Sequence, residues 1–164
     1  MKKYYIRKSI EPEEIYFRAT KVDSAHLANI RKGLRKLHTF EIMAVNIYKF
    51  QITSNDDNVN RIVVQAMANE MSHVQDFQIK LYEYGATPSP LRWIFWFGGI
   101  MIGFISRLLG KKAMLKAGIW TESKAVTDYQ KIIESAPWDT ETLEIITCNL
   151  NDEKHHIETL RNLL

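Results

Sequence analysis

Cysteine is nearly absent from this sequence, which has one such residue, Cys148, in 164 positions. A single thiol cannot form an intrachain disulfide, so a disulfide-stabilised scaffold is excluded and a reducing compartment is favoured. The charge is also nearly balanced: the formal net charge is +3 at pH 7, which gives no indication of a nucleic-acid partner. With 46% hydrophobic residues, residues 1–164 are predicted to form one domain around a single core.

Long apolar runs are also scarce. The main one covers residues 93–105, and it is shorter than the about 20 residues that a transmembrane helix needs. Arg92 and Arg107 flank this tryptophan-containing run, a pattern that favours insertion into the headgroup region of a membrane. A subunit contact or burial in the protein's own core are the alternatives. We therefore predict that residues 88–110 form an apolar insertion, and that residues 91–109 hold the protein peripherally at the cytoplasmic face of the cell membrane.

Strand signals are few, and helical periodicity covers most of the chain. The punctuation by turn residues predicts four long helices, at about residues 24–52, 57–84, 112–134 and 139–164, with Asp23 or Ser24 capping the first. Residues 1–22 are predicted to be an extended lead-in. Four long helices joined by short turns and one apolar insertion predict an all-α four-helix bundle.

Each predicted helix has a glutamate in the middle of its apolar stripe, and two of the helices add a histidine three positions later. A carboxylate buried in such a stripe costs several kcal/mol unless it is paired or neutralised. Basic residues are missing from the stripes, whereas two divalent cations would balance four carboxylates. The six residues of this pattern are Glu41, Glu70, His73, Glu122, Glu153 and His156.

The spacing of acid and histidine places both side chains on one face of a helix, so that both can reach one ion. Two helices with Glu-x-x-His and two with a single Glu build the di-iron or di-manganese site of ferritin-like bundles. Mixed carboxylate and imidazole ligands suit iron or manganese. We predict a ferritin-like bundle with two iron ions per chain, or manganese in their place. The alternative is that some of these residues are half-exposed polar residues near helix boundaries.

Other polar residues near these positions are candidates for an outer layer of the site. Asp152 is predicted to accept the ring N–H of His73 across the bundle, and Asn69 is placed to serve His156 in the same way. His38, one turn before the first of the glutamates, either joins this layer or is an ordinary histidine of the core or surface. Tyr48 and Tyr129 lie on the stripes as well.

Four segments of the chain resemble the ligand-bearing helices of the demethoxyubiquinone hydroxylase family, ferritin-like di-iron enzymes of ubiquinone biosynthesis. These segments are LRKLHTFEIMAVNIY, MANEMSHVQDF, WTESKAVTDYQ and NDEKHHIETL, and the resemblance covers about residues 30–160. It implies that the six residues named above bind iron. It also implies an enzyme, a monooxygenase that hydroxylates a demethoxyubiquinol-type quinone ring with dioxygen at a membrane. The predicted partners are therefore quinone or quinol, dioxygen and the membrane surface, with a homo-oligomer as a possibility.

Three other functions remain open from the sequence. An iron store or ferroxidase would use the same ligands, but it would have no use for a lipid-seeking segment. A rubrerythrin-like peroxidase is disfavoured because the chain has no cysteine pairs for a rubredoxin-type iron centre. A membrane-docking protein could use its metals only to hold the helices together. In the enzyme, Tyr48 and Tyr129 either line a substrate or electron route or are plain core aromatics.

Overall fold

The structure, a computed structural model, describes residues 10–164, and across that range it contains helices and no strands. Four of the helices match the predicted ones to within three residues at each end, and a fifth occupies the apolar insertion. The predicted all-α, ferritin-like class is confirmed. The helices are α1 (Ser24–Gln51), α2 (Asn58–Glu83), α3 (Arg92–Leu108), α4 (Lys111–Glu134) and α5 (Thr140–Arg161).

The starts of three of the helices are fixed by aspartates. Asp23, Asp57 and Asp139 precede α1, α2 and α5, and each accepts hydrogen bonds from backbone N–H groups of the following turn. Such caps satisfy amides that have no partner within the helix, and each stabilises the helix by about 1 kcal/mol. Of the two caps predicted for α1, the structure uses Asp23.

The core of the bundle is divided into two apolar clusters. Helix α1 packs against α2 and α4 packs against α5, while contacts of α1 with α4 and of α2 with α5 close the bundle. One cluster contains Leu34, Phe77 and Tyr129, and the other contains Tyr48 and Val63. Along α1, α2 and α4 the stripe glutamate lies between residues of the two clusters, and on α5 Glu153 lies between Leu150 of the first cluster and the buried Leu160. The polar residues therefore form a layer enclosed by apolar packing at both ends.

Helix α3 packs closely on α1 through two glycines. A Cβ atom at Gly99 would lie 2.4 Å from the carbonyl oxygen of Met43, and one at Gly103 would lie 2.3 Å from that of Ile47. The two glycines are four residues apart, and so are Met43 and Ile47, which they approach on α1. The close approach of the two helices therefore continues over a full helical turn. No helix within residues 10–164 is both long enough and apolar enough to cross a membrane.

Replacing Gly99 with alanine is expected to destabilise the protein, because the new methyl group would overlap the α1 backbone. Gly98 is the matched control, since a Cβ atom there meets nothing within 4 Å. We expect Gly99→Ala to lower the free energy of unfolding by about 1–3 kcal/mol. Gly98→Ala should leave it equal or raise it by up to about 1 kcal/mol through helix propensity. Urea unfolding measures both values, and equal midpoints for the two variants would contradict the proposed packing.

The lead-in differs from the sequence prediction. Within residues 10–22 it is not uniformly extended but includes two short 3-10 turns, Pro12–Glu14 and Ala19–Lys21. Local hydrogen bonds hold these turns, and such bonds leave no clear periodic signal in a sequence. The first nine residues of the predicted lead-in lie outside the described range.

A partly buried ionic network attaches the lead-in to one end of the bundle. The Arg18 guanidinium donates to Glu83 at 2.8 Å and to Asp139 at 3.2 Å. Lys80, which is almost fully buried, donates to Glu83 at 2.8 Å. Hydrogen bonds from Tyr84 and Thr142, together with the charge of Arg18, outweigh burial and lower the pKa of Asp139. The network therefore joins the lead-in to α2 and α5.

Candidate metal centre

The polar layer consists of the six side chains that the sequence singled out, and the structure brings all six together. Helix α1 supplies Glu41, α2 supplies Glu70 and His73, and the remainder come from α4 and α5. None of the six residues is more than 7% exposed. Their burial excludes the alternative that they are half-exposed residues at helix boundaries.

The six side chains form two groups that could each hold a metal ion. One group consists of Glu41, Glu70, His73 and Glu153, and the other of Glu70, Glu122, Glu153 and His156. In each group the ligand atoms lie within 4.8 Å of one another. Two carboxylates, Glu70 and Glu153, belong to both groups. Each of the other four residues belongs to only one.

Both histidines point the same ring nitrogen into the layer. The Nδ1 atom of His73 lies 3.1 Å from Glu153 and 3.4 Å from Glu70. The Nδ1 atom of His156 lies 3.0 Å from Glu70 and 3.5 Å from Glu153. The two imidazoles therefore approach the same pair of carboxylates, each from its own helix.

Most of the carboxylate oxygens and inward imidazole nitrogens of the layer have no hydrogen-bond partner within the protein. Among the described residues, ten buried side-chain nitrogen or oxygen atoms lack a hydrogen bond, and seven of them belong to this layer. Buried polar atoms are otherwise nearly always paired, so a cluster of unpaired acceptors indicates a missing partner. Four carboxylates and two inward imidazole nitrogens fit two divalent cations in charge and in ligand type. The seven atoms are both oxygens of Glu70 and Glu153, one oxygen of Glu122 and the Nδ1 atoms of His73 and His156.

Without cations, the layer favours protonated groups. Burial, followed by the negative charges of Glu153 and Glu70, raises the pKa of Glu122 well above its ordinary value. Burial opposes protonation of His156, but its contacts with Glu153 and Glu70 raise its pKa to about 9. Burial likewise opposes protonation of His73, and contacts with Asp152 and Glu153 raise its pKa even so.

Two buried tyrosines occupy the remaining sides of the layer. Tyr48 donates its hydroxyl to Glu122, and Tyr129 donates to Glu41. Burial and the nearby carboxylates raise the pKa of both phenols well above the ordinary value, so both stay protonated as donors. Each tyrosine therefore contacts a carboxylate that is not shared between the two metal-binding groups.

The outer residues occupy positions that partly differ from those predicted. Asp152 lies 3.3 Å from Nε2 of His73, as the sequence predicted, so the outward nitrogen of that ring has a carboxylate partner. Asn69 was placed beside His156, whereas its side-chain amide donates to Asp152 at 3.4 Å. It therefore supports the His73 side of the layer. The helical spacing gave its face correctly but not its neighbour across the bundle.

His38 lies apart from both groups. It is 3% exposed, and its Nδ1 atom has no hydrogen-bond partner. Burial, together with the charge of Arg92, lowers its pKa, which favours the neutral ring. The His38 ring interacts with the Gln78 side chain and with the charge of Arg92 at the start of α3, and it belongs to neither of the two metal-binding groups.

The sequence drew attention to Phe40, a bulky residue directly before Glu41, but it did not single out Phe95 and Trp120 on the outer side of that glutamate. A cavity of about 220 Å³ lies between α1, α3 and α4, and Glu41 contributes to its wall together with Phe40, Phe95 and Trp120. Trp120 is 58% exposed. It lies two positions before Glu122 and off the apolar stripe of α4. A large aromatic residue outside the buried stripe and next to a ligand position could have indicated a cavity wall from the sequence.

Helical bundles whose buried layer combines four glutamates and two histidines in this arrangement form the ferritin-like class of carboxylate-histidine proteins. Residues 28–163 match the family described as "Ubiquinone biosynthesis protein COQ7". The match covers most of the chain. The chain belongs to this family, which confirms the resemblance found in the sequence.

Similar proteins come from several bacteria. One from Legionella pneumophila (strain Lens) is 29% identical over 128 residues, which cover 77% of this chain and 60% of the relative. One from Polaromonas sp. is 26% identical over 131 residues, which cover 79% of this chain and 63% of the relative. A third, from Psychrobacter cryohalolentis, is 27% identical over 139 residues. Each is named "3-demethoxyubiquinol 3-hydroxylase". The matched region spans about 60% of the length of these relatives.

Proposed function

We propose that this protein is a monooxygenase of ubiquinone biosynthesis, which uses two bound iron ions and dioxygen to hydroxylate the ring of a demethoxyubiquinol-type quinol. One observation carries the proposal: the two potential metal-binding groups share Glu70 and Glu153. A pair of shared carboxylates would hold two ions next to each other, which a single-ion site does not need, and the family and the names of the relatives favour a hydroxylase over an iron store with the same ligands. The name of the relatives supports the choice of substrate.

The six side chains have distinct roles in this proposal. Glu70 and Glu153 would bind both ions. Glu41 with His73 would complete one ion's ligand set, and Glu122 with His156 would complete the other. Four carboxylates balance the charge of two divalent ions, and manganese would fit the same ligands.

When bound by these six residues, the irons would supply the redox chemistry, and the chain determines where that chemistry occurs. The reaction places one oxygen atom of dioxygen in the ring C–H bond as a hydroxyl group, and the other leaves as water with two protons and two electrons from a reductant. Tyr48 and Tyr129 orient the unshared carboxylates by donating to them. The apolar clusters on either side of the layer keep bulk water from it. Asp152 holds the His73 ring through its outward nitrogen.

The outer face of α3 supports a membrane-surface location. Ten of the eighteen large apolar residues that are exposed among the described residues lie within residues 91–109. So large an exposed apolar area marks a site of contact with lipid or protein. Arg92 stacks on Trp93 and Arg107 stacks on Phe104, which places cations at both ends of this face. A quinol with an isoprenoid tail resides in lipid, so we propose docking at the inner face of the cell membrane.

Removing aromatic side chains from this face is expected to release the protein from membranes. In the flotation of vesicles made of phosphatidylglycerol and phosphatidylethanolamine, the parent should float, and Trp93→Ser with Phe97→Ser should remain largely at the bottom. The physical reason is the lost burial of two large apolar side chains. Tyr82→Ser is the control, because Tyr82 is 60% exposed on α2 and its ring contacts Phe17 of the lead-in. The contrary result is a parent protein that does not float but forms a dimer, with the dimer lost in the double variant. That result would show that a second copy of the chain covers this face.

Turnover by the iron-loaded protein tests the proposed function. With demethoxyubiquinol, a chemical reductant and ¹⁸O₂, we expect one labelled oxygen atom in the hydroxylated ring, detected by mass spectrometry. Iron content is measured on the same sample. Iron loading far above two ions per chain without ring hydroxylation would instead identify a ferroxidase or an iron store. Peroxide consumption without labelled product would identify a peroxidase, and bound iron with neither activity would indicate a structural role for the metal.

A further inference from the structure

Two cavities lie on opposite sides of α3. The smaller one, of about 220 Å³, lies between α1, α3 and α4. The larger one, of about 400 Å³, lies between α1, α2 and α3, where Met71, Val74, Trp93 and Trp96 contribute to its wall. Both have mainly apolar walls, and both lie beside the face proposed to contact lipid. A quinol arriving from the membrane could therefore reach the bundle on either side of α3.

Only one of these two cavities reaches the polar layer. Glu41 lines the smaller cavity, and its carboxylate belongs to the first of the two metal-binding groups. The wall of the larger cavity includes none of the six residues. The reacting carbon of a substrate must approach the metals closely, so a ring in the larger cavity would be separated from them by α1 and α2.

The walls of the smaller cavity suit a planar ring with hydroxyl groups. Phe40 and Phe95 lie on one side with ring centroids 5.7 Å apart. At the inner end, the Thr121 hydroxyl donates to the Ala117 carbonyl at 2.9 Å, so its lone pairs remain available to a quinol O–H donor. The volume is below the range of about 300–1,000 Å³ typical of drug-sized ligands, which fits a single substituted ring better than a ring with its tail.

A third cavity provides an exit for the tail. It has a volume of about 410 Å³, and its wall also includes Phe40 and Phe95, together with Leu91 at the start of α3. Lys32, Arg35 and Lys36 line it too, and their methylene stems offer apolar surface. The charged ends of Arg35 and Lys36 donate to the Thr87 carbonyl and to Asp128. The Phe40 and Phe95 rings thus separate a ring-sized cavity from a groove that ends at the exposed part of α3.

On the basis of the proposed function, we propose that the quinol ring binds in the cavity between α1, α3 and α4, against Glu41, Thr121 and Trp120. The isoprenoid tail leaves past Phe40 and Phe95 towards Leu91. Trp120, which is more than half exposed, is the specificity-determining aromatic residue at the mouth, and Ala125 also forms part of the cavity wall. The larger cavity on the α2 side does not take the ring.

Tryptophan fluorescence distinguishes the two cavities without relying on turnover, because a bound quinone quenches nearby indoles. The probe is a decyl-tailed demethoxybenzoquinone, titrated into the iron-loaded protein. Trp120→Phe is expected to remove most of the quenching, whereas Trp93→Phe with Trp96→Phe should retain it. The reverse pattern, or the absence of any saturable quenching in the parent, would overturn the proposal.

Filling each cavity gives an independent comparison. Ala125→Leu should weaken binding of the probe, and raise KM where turnover is measured, by about tenfold or more, since excess methylenes in a tight pocket have effects of this size. Met71→Phe fills the larger cavity from an exposed position and should change neither value. Weaker binding in Met71→Phe with normal binding in Ala125→Leu would contradict the assignment. If the protein hydroxylates the quinol but shows the reversed quenching pattern, the proposed function stands and the cavity assignment is wrong. If quenching depends on Trp120 but no hydroxylation occurs, the cavity assignment stands and the proposed function is wrong.

Discussion

Alanine at Glu70 or Glu153 is expected to remove both metal ions, whereas alanine at Glu41 or Glu122 should remove or weaken only one. The two former carboxylates belong to both potential metal-binding groups, and the two latter belong to one group each. After reconstitution with ferrous iron and gel filtration, the parent should retain about two ions per chain. Either shared-carboxylate variant should retain almost none. Elemental analysis by plasma mass spectrometry gives these stoichiometries directly.

The matched control for this comparison is Glu158→Ala, an exposed glutamate on α5, which should bind iron like the parent. Circular dichroism shows whether each variant remains helical, so that loss of metal is not confused with loss of the fold. Iron content equal to that of the parent in both shared-carboxylate variants would contradict the assignment of the polar layer. Equal losses in all four variants would contradict the sharing of the two carboxylates.

Replacing Glu153 with methionine is expected to make the metal-free protein more stable than the metal-free parent. With metal present, the parent should be the more stable of the two. Glu153 is fully buried, and neither of its oxygens has a hydrogen-bond partner. The metal-free layer has four buried carboxylates and only two histidines, so replacing Glu153 removes the negative charge that raises the pKa of Glu122. Replacing complete buried ionic groups with apolar side chains of similar size has stabilised proteins by about 1–4 kcal/mol, which is the upper limit for this single change. In a chain of this length, each kcal/mol raises Tm by about 2–4 °C. The metal-free variant should therefore unfold at a higher temperature than the metal-free parent.

With excess ferrous iron under anaerobic conditions the order should change, because only the parent gains binding free energy. A ligand at a thousand times its Kd stabilises the folded state by about 4 kcal/mol. Differential scanning calorimetry with and without metal measures all four values, and Glu158→Met serves as the surface control. A metal-free Glu153→Met protein that unfolds below the metal-free parent would show that the carboxylate stabilises the fold by itself.

The sequence predicted the polar layer well because burial and charge conflict at those positions. Glu41 and Glu70 interrupt stripes that are otherwise apolar, and helical periodicity alone assigns them to the buried face. The same periodicity cannot say which helices become neighbours across the bundle. For that reason, the sharing of Glu153 between the two groups, and the contact of Asn69 with Asp152, required the structure.

Other features depend on contacts between distant parts of the chain. Arg18 bonds to Glu83 and Asp139, which are 65 and 121 positions away, and nothing local in the lead-in indicates such partners. The apolar composition of α3 predicted an insertion that faces lipid or protein. It did not show that Gly99 and Gly103 fit the backbone of α1 while the aromatic face remains exposed.

Anomalous diffraction at the iron absorption edge, from crystals of the reconstituted protein, tests the central claim most directly. The account predicts two peaks within the polar layer, about 3.5–4 Å apart as in other two-metal sites, with Glu70 and Glu153 contacting both. A single peak in that layer, or iron bound only elsewhere on the molecule, would contradict it.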